Sequence, residues 1–127
     1  AHHPTEIAAA LKAARSLFPE RKLVAAFQPH LFSRTRDFAE GFAQALSLAD
    51  EIYLTDIYPA REEPLAGVTS DIIYQQINNT DKHMVTLERL PTALREAIRQ
   101  PSTLITLGAG DIDKITLPLR EFLKNTV

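Results

Sequence analysis

The sequence contains no cysteine. That excludes a disulfide scaffold, a thiol nucleophile and any cysteine-built zinc site, and it fits a reducing compartment. Glycine is scarce: four in 127 residues, at positions 41, 67, 108 and 110. A phosphate-cradling loop needs G-x-x-x-x-G-K-[S/T]. Neither that spacing nor any lysine followed by serine or threonine occurs, so the chain carries no P-loop of its own. G-x-G-x-x-G is also missing, and Gly108 with Gly110 is too little for a dinucleotide site. Neither sign of charge dominates. Lys plus Arg is 14, Asp plus Glu is 16 and the net charge is −2, which argues against a surface for duplex nucleic acid. No apolar run approaches the ~20 residues that span a bilayer, and no signal-peptide pattern is present. The expectation is a cytoplasmic protein with no membrane or nucleic-acid partner.

Hydrophobic residues make up 45% and charged residues 24%, the balance of a folded globular chain. The length suits one domain over residues 1–127 with a real core. Pro4 suits a first helical turn, and Ile7, Leu11, Ala14 and Phe18 come next at helical spacing until Pro19 stops the helix. Residues 22–28 read as a buried strand and 28–33 as a loop. A second helix, for which Ser33 is the candidate cap, carries Phe38, Phe42, Ala45, Leu46 and Ala49 on its apolar stripe. Strand 51–56 and a loop over 58–67 come after it. Ser70 caps a third helix with Ile72, Ile73 and Ile77. A weaker strand over 83–88, a helix opened by Pro91 with Leu94, Ala97 and Ile98, and a strand over 102–107 complete the alternation. A turn at Pro118 and a final helix close the chain. Strands alternate with helices and no hairpin signal appears, so the fold class is α/β, Rossmann-like, with a mainly parallel sheet and helices on both faces. Such a unit normally opens with a strand. This chain opens at a helix, which reads as a piece with the first strand left behind.

The unusual polar residues fall where strands end: His2 and His3, Gln28-Pro29-His30, Asp56-Ile57-Tyr58 and Gly108 to Asp111. Ligands of open parallel sheets bind at that edge. Adjacent His2 and His3 point apart and do not share a metal, no H-x-x-x-H pair exists and His83 stands alone, so a metal site built by this chain alone is not expected. His3 suits a helix-entry hydrogen bond, while His2 can face the ligand edge. Arg34 and Arg36 fall in the first turn of the second helix, where the dipole disfavours cations. Either an anion compensates, bound by backbone N–H groups and guanidinium forks, or the arginines pair locally, as Arg36 could with Glu40. Asp56 can hold a magnesium ion or a phosphoryl group, or simply open a turn. Glu62 and Glu63 read as a solvated loop face. Gly108 and Gly110 permit a tight turn, with Asp111 capping the next segment.

Four stretches resemble the Mur ligases, in particular those that attach L-alanine to UDP-N-acetylmuramic acid. Ala1-His2-His3-Pro4-Thr5-Glu6 is similar to the end of their D-D-Y-A-H-H-P-T-E motif. Phe27-Gln28-Pro29-His30 with Ser33-Arg34-Thr35-Arg36-Asp37 resembles F-Q-P-H-R-Y-[S/T]-R-T-R-D. Asp56-Ile57-Tyr58-Pro59-Ala60-Arg61-Glu62, with Pro64, Gly67 and Val68, resembles their D-I-Y-P-A-R-E-x-P-x-x-G-V loop, and Gly108-Ala109-Gly110-Asp111-Ile112 their G-A-G-[D/N]-I ending. The resemblance implies a carboxyl-terminal, amino-acid-binding domain that closes over ATP held with Mg by a central domain elsewhere. It implies peptidoglycan precursor synthesis through an acyl phosphate, and no activity for this domain alone. It places His2, His30, Arg34 and Arg36 at the substrate, with Arg34 on the alanine carboxylate, and Asp56, Gly108 and Gly110 in nucleotide-side loops. Leu31 stands where many members have arginine, which leaves the carboxylate to Arg34 or Arg36. The alternatives are the related muropeptide-recycling ligase, a receiver-type phosphoacceptor on Asp56, or a purely structural interaction domain.

Overall fold

A computed structural model describes residues 3–59, 61–79, 81–97 and 102–108. Its elements are α1 (Pro4–Leu17), β1 (Lys22–Gln28), α2 (Phe32–Leu46), β2 (Glu51–Leu54), α3 (Asp71–Tyr74), β3 (Lys82–Met84), α4 (Leu90–Ala97) and β4 (Ser102–Gly108). The strands form one sheet in the order β3-β2-β1-β4, and every described pairing is parallel. β1 sets the register, since it pairs with both β2 and β4. Its apolar run is unbroken from Leu23 to Phe27, and Leu23 through Gln28 are all buried.

Alternation along β1 sorts the core into two layers. Leu23, Ala25 and Phe27 face α1, α2 and α3, meeting Ile7, Leu11, Phe42, Leu46 and Ile73. Val24 and Ala26 face the other way, with Tyr53, against Leu90 and Leu94 of α4. The chain runs outward from β1 through β2 to β3 and then crosses back to place β4 beyond β1. Crossovers of one hand put helices on opposite faces when the direction of travel reverses. That reversal makes the boundary between β1 and β4 the switch point of the sheet.

Several boundaries differ from the sequence reading. Phe18 is 43% exposed instead of part of the core stripe. The following proline pushes it out of helical geometry, and the Arg21 guanidinium lies over its ring at 5.0 Å. Phe38 is 42% exposed because α2 kinks there (φ −119°, ψ 19°), turning the ring toward His3 with centroids 5.3 Å apart. β2 stops at Leu54, and β3 runs 82–84 instead of 83–88. α3 is only four residues long, with Ile77 buried beyond its end. Ser70 flanks α3 without capping it, since its hydroxyl donates to the Thr55 carbonyl oxygen. Ile98, Asp111 and the last expected helix lie outside the described residues.

Candidate functional site

β1 delivers the chain to the carboxyl edge with Gln28 buried, and Gly108 of β4 lies directly opposite it in register. Gly108 has φ 138°, a conformation that a side chain disfavours. Beyond β1, His30 forms a parallel bridge with Tyr58 of the loop after β2. The Tyr58 N–H donates to the Pro29 carbonyl at 2.8 Å, and the Leu31 N–H donates to the Tyr58 carbonyl at 2.9 Å. The His30 and Tyr58 rings stack at 5.7 Å with 17° between planes. The chain then turns sharply into α2. Leu31 takes the turn with φ 70° and ψ 137°, an unfavourable backbone state for a residue with a side chain. Its carbonyl is held by the Thr35 N–H at 3.1 Å and the Thr35 hydroxyl at 2.8 Å.

The start of α2 corrects three expectations. Leu31, not Ser33, occupies the capping position, and it offers no side-chain cap. Ser33 instead lies inside the first turn, where its N–H donates to Glu62 Oε1 at 3.0 Å and its hydroxyl donates to Glu62 Oε2. Glu62 keeps contact with solvent but also supplies an anion at the helix start. Hydrogen bonds from the Ser33 hydroxyl and then its N–H hold the Glu62 carboxyl below the usual carboxylate range. Arg36 does pair locally, but with Asp37 at 2.9 Å and not with Glu40, and both partners are more than half exposed. Its guanidinium is held above its ordinary value, chiefly by the Asp37 hydrogen bond.

Arg34 differs from Arg36. It is half-buried at the third position of α2 and has no ion pair among the described residues. Asp56 is exposed, two residues past the end of β2, and its carboxylate likewise has no ion pair among the described residues. His30, Arg34, Asp56 and Gly108 thus all lie at or just beyond the carboxyl ends of neighbouring strands, or start the helix after one. His2 and Gly110 lie outside the described residues. His3 makes the helix-entry bond: its Nδ1 accepts from the Thr5 N–H at 3.2 Å.

A second polar cluster escaped the sequence reading. His83 is not alone. Its Nε2 lies 3.0 Å from Asp81 Oδ1 and 3.2 Å from Glu51 Oε2, and its ring stacks on Tyr53 at 4.7 Å. Glu51 also accepts from the Tyr53 hydroxyl at 2.7 Å and meets Lys22 Nζ at 3.0 Å. Burial first, and then this bond to Glu51, push the Tyr53 phenol well above its ordinary value. Glu51, Asp81 and His83 have the spacing of a metal-ligand set. The Lys22 ammonium already stands on both carboxylates, however, 3.5 Å from Asp81, and supplies the positive charge there. The cluster sits where β1, β2 and β3 begin, at the edge opposite His30 and Gly108. Only strand register, which pairs Tyr53 with His83, could have revealed it.

The family model for the Mur ligase, glutamate ligase domain, matches residues 1–110. The chain belongs to the Mur ligase family. This Mur ligase domain is 52% identical over 120 residues to a UDP-N-acetylmuramate–L-alanine ligase of Cytophaga hutchinsonii, covering 94% of the chain and 25% of that protein. It is 46% identical over 127 residues to the protein of the same name in Flavobacterium johnsoniae, covering 100% of the chain and 28% of that protein. The chain therefore spans about a quarter of the length of these curated relatives. Among solved structures, the UDP-N-acetylmuramate-alanine ligase of Thermotoga maritima superposes with a TM-score of 0.76 at 26% identity, over 100% of this chain and 26% of that one. A murein peptide ligase of Psychrobacter arcticus shares the fold, with a TM-score of 0.74 at 20% identity over 100% of this chain and 27% of that one. The Mur ligase domain agrees with the α/β expectation, and the receiver-type alternative is not favoured. No described helix is long and apolar enough to cross a membrane.

Proposed function

We propose that this chain is the carboxyl-terminal, amino-acid-binding domain of a cytoplasmic ligase that joins L-alanine to UDP-N-acetylmuramic acid in peptidoglycan precursor synthesis. The observation that carries this reading is the 52% identity over 94% of the chain to a ligase of that name. The recycling ligase is the weaker reading, since its likeness rests on fold at 20% identity.

In the proposed reaction the γ-phosphoryl group of ATP passes to the muramic carboxylate, giving an acyl phosphate and ADP. The alanine amine attacks the acyl carbon, a C–N bond forms and the amine loses a proton. The tetrahedral intermediate then expels inorganic phosphate as the C–O bond breaks. Magnesium and the nucleotide phosphates belong to the central domain in this scheme. Asp56 offers one exposed carboxylate at this edge, which could add to a magnesium ion held chiefly by the nucleotide phosphates and the central domain. The part given to this domain is to hold L-alanine. Arg34 suits its carboxylate, because a guanidinium makes two parallel charge-assisted bonds and this one has no competing ion pair among the described residues. His30, stacked on Tyr58, lines the same edge.

The test is steady-state kinetics of Arg34→Ala in the full-length enzyme, with L-alanine and ATP varied separately. Loss of a desolvated charge partner costs about 2–4 kcal/mol. The corresponding fall in kcat/KM for L-alanine is roughly thirtyfold to a thousandfold. ATP binding should change little and Arg34→Lys should restore part of the loss. Unchanged alanine kinetics, or a defect seen only against ATP, would remove Arg34 from this role.

A further inference from the structure

The loops after β1 and β2 are joined at two levels. Near the strands, Pro29 and Leu31 exchange backbone hydrogen bonds with Tyr58. Two residues further on, Ser33 presents its N–H and its hydroxyl to the two oxygens of Glu62. Leu31, in its unfavourable backbone state, belongs to the first level, and directly after the second sits Arg34. A strained residue persists only where its surroundings hold it. Here the holding groups are Tyr58, Thr35 and, through Ser33, Glu62.

We propose that Glu62 is a positioning residue for L-alanine: its carboxylate clamps Ser33, fixes the Leu31 turn, and so sets the direction in which Arg34 leaves α2. The proposal deepens the role proposed for Arg34 and rests on it. It also has a chemical consequence. The Ser33 amide and hydroxyl are spent on Glu62, so the open end of α2 is closed to an incoming anion at that position. Recognition of the alanine carboxylate then cannot use the Ser33 groups, which leaves the guanidinium of Arg34 as the charged donor. An arginine aimed by a clamp is sensitive to small displacement, because productive geometry tolerates errors of about an ångström poorly.

The experiment uses the full-length enzyme with Glu62→Ala, Glu62→Gln, Ser33→Ala and the Glu62→Ala/Ser33→Ala pair. KM and kcat are measured against L-alanine and against ATP, and hydrogen–deuterium exchange is monitored in peptides covering residues 30–36 and 23–28. Glu62→Ala should raise the L-alanine KM about tenfold to a hundredfold. The ATP KM should move by less than about twofold. Exchange should quicken in 30–36 and stay unchanged in 23–28, which marks a local effect instead of a folding defect. Glu62→Gln should recover part of the loss, since its carbonyl oxygen still accepts one bond. The double variant should be no worse than Glu62→Ala, as expected of residues acting through one contact. Costs that add in full, or wild-type alanine kinetics with unchanged exchange in Glu62→Ala, would overturn the proposal while leaving Arg34 as receptor. A silent Arg34→Ala with faster exchange in Glu62→Ala would instead defeat the receptor reading and retain the clamp.

Discussion

Arg34 and Arg36 are two residues apart on one helix, yet their surroundings differ. Arg36 reaches its neighbour Asp37, whereas Arg34 meets no carboxylate among the described residues. Arg36→Ala in the full-length enzyme should therefore leave the L-alanine KM within about twofold, since an exposed local pair contributes little. Steady-state kinetics beside Arg34→Ala check this. Glu62 carries a pH signature of its own. Its folded-state carboxyl lies below the ordinary range, so its contribution is present above that range and is lost as pH falls through the folded value. The difference in melting temperature between Glu62→Gln and the parent should be greatest above the ordinary carboxylate range and shrink as pH falls through the lowered folded value. A difference that persists in acid would mean that the carboxylate charge is not what holds Ser33.

α1 and α2 approach closely at one point. A Cβ placed on Gly41 would lie 3.2 Å from Cγ and 3.3 Å from Cβ of Pro4. The proline ring is rigid and begins α1, so it has little room to give. Gly41→Val should destabilise the fold by about 1–3 kcal/mol, the usual cost of overpacking. Thermal or urea unfolding of the variant measures it, and an unchanged midpoint would show that the helices can part freely. The other end of α1 is tied by Arg15, whose guanidinium grips Asp50 at 2.9 and 3.1 Å. Asp50 Oδ2 also accepts the Leu23 N–H at 2.8 Å, linking the helix to the first residues of β1. The Arg15 hydrogen bond is the main reason the Asp50 carboxyl sits low. Both side chains are around two-fifths exposed, so Asp50→Asn should cost no more than about 1 kcal/mol near neutral pH, and less as acid protonates Asp50.

For the whole molecule, the clearest expectation concerns what the domain does by itself. Its sequence has no P-loop to hold the nucleotide phosphates. The 127-residue chain should show no ATP hydrolysis above background. Hydrolysis abolished by a point substitution within the chain would refute that. The core that supports the edge rests on Phe27, fully buried with its ring 5.1 Å from that of Phe42. Phe27→Ala should cost about 3–5 kcal/mol. Chemical denaturation measures the loss, which would reach the site indirectly through β1.

The sequence alone determined the α/β class, the parallel sheet and the bounds of β1, because an apolar run such as Leu23 to Phe27 can be satisfied only by burial on both faces. It also determined the edge at which His30, Arg34, Asp56 and Gly108 gather, since the position of polar residues at strand ends is set by chain direction. Local spacing could not say where partners come from. Glu62 reaches Ser33 across 29 residues, and Glu51 reaches His83 across 32. Each pairing exists only because parallel register brings two strands or two loops side by side. Phe18 and Phe38 kept helical spacing in the sequence, but a following proline and a kink turned them outward. Tertiary structure decided which charges are already paired: Arg36 is, with Asp37, whereas Arg34 has no ion pair among the described residues.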